Sequence, residues 1–439
     1  MENTLNDTTK KVIALSPYKM FLVCILGFAQ GTIFLLSGII SPYYTITQDM
    51  LGATHEQLGT LMTIYGLIMW ATLIPGGWIA DKVEVRKLVV VSLVLTGLTG
   101  YAMVAFPYIH YYYFAWGFQS FVHNLLYWSA AIKVIRVVAE PDEQGKAYGY
   151  AYAMNGAAIA IFGAVGVAIL ALAGDNLIGG LKNIMAMLGT SNIILGVVIW
   201  FTVKNVKKSD GTLLADEEKP TVREMLAVLK LKETWVFSFV CLSLYTLMNL
   251  TWTYFTPFFV DVMGMSEAMA AGVFTVISFM GIFSPLVMGI FADKVGSILR
   301  TIVIVMAALI FILSTLLAIS QVIPLWAAIV IDVVAVFIAG GTYSIQWSTF
   351  DELKLDRKVA GSCVAMASII GFSPDLFIWR LFGSFLDNHG NDGYFYIFAS
   401  LLLTAVLGLI AALILRKWAK EKEAEKLETS GNPPIEPIQ

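Results

Sequence analysis

Charge is scarce in this chain: of 439 residues, Asp, Glu, Lys and Arg make up 13%, while 58% are hydrophobic. That balance excludes a soluble domain of this length, which would have to hide far more apolar surface than it could bury. The formal net charge is −3, with the bases spread among loops and gathered in no patch, so nucleic acid is not an expected partner. Three cysteines, Cys24, Cys241 and Cys363, all fall inside apolar runs. They read as small buried thiols, with no disulfide framework and no metal site. The four histidines, His55, His110, His123 and His389, are scattered without metal-ligand spacing. No phosphate-binding glycine loop and no nucleophile elbow occur, which argues against ATP-driven pumping, enzymatic chemistry and any cofactor. A cleavable signal is also missing, because the first apolar stretch is too long and lacks a small-residue cleavage site.

What the chain has is apolar runs. A membrane-crossing helix needs about 20 such residues, and twelve candidates lie near 18–46, 56–80, 87–107, 111–137, 146–173, 183–204, 234–260, 267–291, 299–319, 324–349, 360–386 and 393–415. Residues 1–17 form a polar tail, 205–233 a charged linker and 416–439 a second tail, so the expected bundles are 18–204 and 234–415. Placing both termini in the cytoplasm puts Lys82, Arg86, Lys87, Lys294, Arg300, Arg416, Lys417 and the linker bases inside, leaving only Lys182 in an outer loop. The opposite orientation violates the positive-inside rule. A bacterial inner membrane or plasma membrane is the expected location.

The two halves repeat one another. Gly77 and Asp81, followed by Lys82, return 212 residues later as Gly289, Asp293 and Lys294. Gly52 and Thr54 open helix 2 as Gly264 and Ser266 open helix 8, and Ser41–Pro42 end helix 1 much as Thr256–Pro257 end helix 7. Each half has an even number of spans, so both keep the same sense in the membrane. The expected fold is an all-α membrane protein: twelve helices in two parallel six-helix bundles about a pseudo-two-fold axis along the membrane normal, with a central site between them.

The repeated stretch resembles the loop between helices 2 and 3 of major facilitator superfamily transporters and its weaker echo between helices 8 and 9. The match is incomplete: Glu84 stands where the family has glycine and Val85 where it has a base, while the second copy keeps Gly296. A glycine there permits a tight turn with positive φ, so the first loop is expected to take another path. The resemblance implies that Asp81 meets the cytoplasmic end of helix 11, and that Gly77, Arg86, Arg136 and Asp293 belong to the same gating network. Trp128, Lys133, Arg136, Glu143, Gln144, Gly145 and Gly149, with Ser373, Pro374 and Asp375, resemble a loosely characterised bacterial branch of solute permeases. The signatures of drug antiporters, sugar porters and organophosphate exchangers are lacking.

In that family helices 1, 4, 7 and 10 face the central cavity. Helix 4 here carries Gln119, His123 and Tyr127 four residues apart, with Asn124 and Trp128 one step round; helix 7 carries Tyr245, Asn249, Trp252 and Thr256; Gln30 lies mid-way along helix 1. Such spacing puts each stripe on one helical face. Either it lines a solute site or it bonds neighbouring helices. Ionisable residues within spans are few. Lys133 sits deep enough along helix 4 to snorkel to the cytoplasmic surface. Arg380 either pairs with Asp332 or attracts an anionic solute. Asp375 follows Pro374 near mid-membrane, where proline bends the helix and opens a notch beside the carboxyl. It is the first candidate for proton coupling and Asp332 the second, with helix bonding as the alternative role for Asp375. The expected function is secondary active transport of a small polar organic solute, with an anion among the candidates, proton-coupled, by a monomer. A uniporter or exporter of the same fold is the nearest alternative; a receptor or assembly protein that kept the fold is the competing class.

Overall fold

The computed structural model describes residues 16–138, 144–203, 227–319, 323–355 and 357–429. The tail before residue 16, most of the 205–233 linker and the end of the C-terminal tail lie outside the described residues, as do the side chains of Gly77, Asp81 and Arg136. Among the described residues there are helices and turns and no strand. A lipid interior demands this, since each backbone amide must find its partner within its own segment.

Among the described residues twelve helical passes follow in order. The first is α1 (Pro17–Ser37), then α2 (His55–Lys82), α3 (Val85–Ala105), and α4 in three joined pieces, Ile109–Ser120, Phe121–Trp128 and Ser129–Val138. Next come α5 (Gln144–Ala173), α6 (Leu177–Thr202), α7 (Lys232–Asp261) and α8, split into Glu267–Met280 and Ser284–Val295. The last four are α9 (Ile298–Ile319), α10 (Leu325–Ile345), α11, split into Arg357–Gly371 and Ile378–His389, and α12 (Gly393–Thr429). Among the described residues eight stretches are long and apolar enough to cross a membrane by themselves. One of them, 362–424, holds two passes, because the chain reverses at Gly390 (φ 55°). The two pieces of α8 pass the same test together, bent by 48°.

Several boundaries differ from the sequence expectation for local reasons. The first span does not run to residue 46: it ends in a 3-10 turn at Gly38–Ile40, turns at Pro42, and restarts as the short helix Tyr44–Leu51. Pro257 ends nothing, and α7 carries it in its last turns. Helix 12 continues past residue 415 to Thr429. The repeat itself is visible in the backbone, where Gly52 and Gly264, 212 apart, both adopt positive φ (56° and 67°) before the capping residues Thr54 and Ser266.

The two copies of the repeated loop part where the sequences part. Gly296 takes φ 74° and closes α8 with its N–H on the carbonyls of Ala292 and Asp293. Glu84 has φ −58° and ψ 119°, so α2 leaves through an extended Val83 and Glu84 starts α3 instead. Its carboxylate binds Arg86 at 3.0 Å and Lys87 at 3.1 Å. Lys87 and then Arg86 hold that carboxyl below the usual carboxylate range.

Helices α1–α6 and α7–α12 pack as two bundles, joined along two seams, α2 against α11 and α5 against α8. Small residues let the backbones approach: Gly59 and Gly66, two turns apart on one face of α2, lie against Trp379 and Asp375 of α11. A Cβ added at Gly66 would stand 2.6 Å from the Asp375 Cβ.

Candidate transport site

Pro374 does to α11 what the sequence suggests. The helix stops at Gly371, passes through the 3-10 turn Ser373–Leu376, and resumes at Ile378. Asp375 sits in that turn, buried, with both carboxylate oxygens engaged: the Tyr245 hydroxyl of α7 donates to Oδ2 at 2.5 Å and the Trp379 indole N–H to Oδ1 at 2.9 Å. Tyr245 packs its ring 4.7 Å from Phe372 and 6.0 Å from Tyr343 of α10. Two residues nominated separately, Tyr245 for solute and Asp375 for protons, therefore form one unit at the seam between the bundles.

Of the remaining nominees on α7, Asn249 is half-buried and donates its amide to the Tyr245 carbonyl at 3.1 Å. Trp252 stacks on Phe274 of α8 at 5.3 Å, and its indole N–H is buried with no partner among the described residues. Thr256 is buried.

The nominees on α4 do not share one face. Phe121–Trp128 winds as a π-helix, with wider i→i+5 bonding that shifts the phase of everything after it, a feature that often marks functional segments. His123 is fully buried inside the first bundle: Tyr65 meets its Nδ1 at 3.1 Å, Thr96 of α3 meets its Nε2 at 3.1 Å, and Phe34 packs edge-on at 5.2 Å. Asn124 bonds back to Ser120 at 2.9 Å, Tyr127 donates to the Leu26 carbonyl at 2.6 Å, and Gln119 contacts the Met103 sulfur at 3.2 Å. For these four the helix-bonding alternative describes the contacts made. Trp128 and Gln30 differ, lining together a narrow cleft with Tyr148 and Tyr152 of α5.

Arg380 does not pair with Asp332. It lies in the second piece of α11 and binds Glu56 at the start of α2, 2.7 Å away, on the other bundle. Asp332 is buried in α10 with Oδ1 lacking a partner among the described residues. Five residues is the wrong spacing for Arg380 to fold back on Asp375, and Glu56, missed in the sequence, is one helix away. Around this ion pair the two bundles make further contacts at the same end of their helices. Asp387 accepts the His55 and Glu56 amides at 2.8 and 2.7 Å, capping α2 from α11. Ser41 meets Thr253 at 3.1 Å, Thr45 bonds Glu267, and Tyr44 packs 6.1 Å from Tyr254.

Among the gating nominees, Arg86 pairs with Glu84 and lies over the Trp200 ring of α6 at 4.6 Å, contacts within its own bundle. Asp293 is exposed near the end of α8. Gly77, Asp81 and Arg136 cannot be placed by their side chains, which are outside the described residues.

The model of the Major Facilitator Superfamily matches residues 24–378. The chain belongs to that superfamily. Inner membrane protein YqcE of Escherichia coli is 23% identical over 376 residues, covering 83% of this chain and 87% of that one. Two solved structures share the fold at 14% identity: an inward-facing, unoccupied bacterial homolog of the human lysosomal transporter Spinster, with TM-score 0.71 over 93% of this chain and 98% of that one, and a D-xylose-proton symporter, with TM-score 0.68 over 92% and 98%. This superfamily member is a multi-pass membrane transport protein and not an enzyme.

Proposed function

We propose that the chain moves a small, polar, uncharged organic solute by alternating access, coupled to protons through Asp375. The observation that carries this reading is the placement of Asp375 in the broken turn of α11, bonded to Tyr245 of α7 and packed against Gly66 of α2. A proton gained or lost there changes the charge at the joint of three helices drawn from both bundles. Bonds to an ionised carboxylate are roughly twice as strong as neutral ones, so protonation alters how tightly those helices are held. The resemblance in fold to a D-xylose-proton symporter is compatible with this chemistry.

The uncharged character of the solute is supported by where the cations lie. Arg380, the residue suited to attract an anion, is engaged with Glu56 at the rim. The first bundle offers Gln30, Trp128 and Tyr152 around one cleft and the second offers Asn249 and Tyr343, ring faces and amides that suit a hydroxylated molecule. Both termini are read as cytoplasmic, since Lys82, Arg86, Lys87, Lys294 and Arg300 gather at one end of the spans while Glu56, Asp261, Glu267 and Asp387 gather at the other. A monomer suffices for this scheme.

Proteoliposomes test the proposal. Acid outside should drive accumulation of a neutral sugar or nucleoside found by screening, about tenfold per pH unit at one proton per solute. In Asp375→Asn that accumulation should vanish while exchange at equal pH persists. Undiminished accumulation by the variant would remove Asp375 as the coupling site and favour a uniporter or another coupling residue. A screen in which carboxylates or phosphates bind better than their neutral counterparts would reject the uncharged solute.

A further inference from the structure

From Asp375 outward the polar and aromatic groups form an unbroken column. The Trp379 indole donates to Asp375 Oδ1 at 2.9 Å, and its ring stacks on Tyr254 of α7 at 6.2 Å and 22°. The Tyr254 hydroxyl returns to the Trp379 carbonyl at 3.1 Å. Tyr254 packs against Tyr44 of the first bundle at 6.1 Å; Tyr44 stacks on His55 at 5.6 Å and meets its Nδ1 at 3.1 Å. His55 is the residue whose amide is capped by Asp387 from α11. Every member is at least half-buried, and the column crosses from the second bundle to the first where the outer ends are closed.

We infer that Trp379 is a positioning residue through which Asp375 controls the outer closure. This rests on the reading of Asp375 as the proton site. The indole N–H can only donate, so it is held by an ionised carboxylate and released in part when that carboxylate takes a proton. Trp379 cannot shift without moving the ring of Tyr254, and Tyr254 cannot shift without disturbing Tyr44 and the start of α2. A one-proton change at mid-membrane thereby loosens the contacts that seal the outside. Other groups face the two ends of the column. Tyr245, Tyr65 and Tyr343 surround Asp375, from α7, α2 and α10. Glu56, Arg380, Asp387 and Asp261 surround His55 and Tyr44. A tyrosine hydroxyl ordinarily loses its proton only near pH 10, so the proposed proton change at that end concerns Asp375.

Accessibility from outside reads the inference directly. Asn249 lies one turn deeper on α7 than the closure contact Thr253 and on the same face, so an Asn249→Cys protein in intact vesicles, with the native protein as blank, is labelled by a membrane-impermeant maleimide only when the outer side opens. Labelling is read after an acid or neutral preincubation, at one fixed labelling pH with a short pulse, so that reagent chemistry stays constant. Acid should raise labelling several-fold. Trp379→Phe keeps the stack but loses the N–H, and should give high labelling at both pH values, as should Asp375→Asn. Tyr245→Phe removes the other bond to Asp375 without touching the column and should keep the pH response. A pH response that survives Trp379→Phe, or labelling in the native background that ignores pH, overturns the inference. Gradient-driven accumulation separates this from the proton-site reading. If Asp375→Asn still accumulates solute, the proton site is wrong; if accumulation is lost in Asp375→Asn yet labelling never responds to pH, only the column is wrong.

Discussion

His123 and Asp375 are both titratable side chains buried at mid-membrane, one in each bundle, yet their surroundings differ. His123 is closed within its own bundle, its two ring nitrogens bonded to Tyr65 and Thr96. Asp375 lies on the seam, in a broken turn, with partners on α7 and α11 and the glycine face of α2 against it. A group whose partners all belong to one rigid unit stabilises that unit. A group whose partners belong to units that move against each other biases their motion. Position relative to the seam, more than burial, separates the two roles.

The widest gap between them should open with charge removal. Asp375→Asn is expected to abolish pH-driven accumulation, whereas His123→Gln should leave the ratio of driven to exchange transport within about twofold. His123→Gln should instead destabilise the first bundle by about 1–3 kcal/mol through lost bonds, seen as a lower melting temperature in detergent. Loss of coupling in the His123 variant would dissolve the distinction.

Gly66→Ala sharpens it sterically. One methyl on the seam overlaps Asp375, and overpacking of this kind costs about 1–3 kcal/mol. Transport should fall roughly tenfold with melting little changed if the cost is felt mainly in the closed outer state. Alanine at Gly97, which meets Gly189 of α6 inside the first bundle, should do the reverse, lowering the melting temperature more than transport.

Smaller effects are expected at the rim. Asp387→Asn weakens two charge-assisted bonds to the start of α2, about 1–2 kcal/mol, and should raise outside labelling of Asn249→Cys several-fold. Arg380→Ala should raise it least, since its ion pair with Glu56 is largely exposed and worth about 1 kcal/mol or less. Arg380→Ala that eliminated solute binding would restore the residue to the solute site.

Much of the architecture was legible because it rests on local rules. Apolar run length, the positive charges and the 212-residue repeat need no partner to be read, and the break in α11 follows from Pro374 within a few residues of itself. The two loops diverge as Glu84 against Gly296 foretells, because positive φ disfavours a residue with a Cβ. The π-helical winding of α4 left no such trace: Phe121–Trp128 contains neither Pro nor Gly, so helical spacing left both the solute-site and the helix-bonding readings of His123 and Tyr127 open. Glu56 and Asp387 also stayed hidden, although they begin and end helices at the same membrane surface.

The sequence alone thus determined which segments cross the membrane, that they cross as two similar halves, and where helix 11 breaks. Each of these follows from hydrophobic transfer or backbone sterics acting over a few neighbouring residues. Only the tertiary structure decided which polar groups lie on the seam and which lie within a bundle, and that Arg380 faces Glu56 instead of Asp332. Those outcomes depend on which helix covers a given face, and the glycines of α2 and α5 set that choice through close packing between segments far apart in the chain.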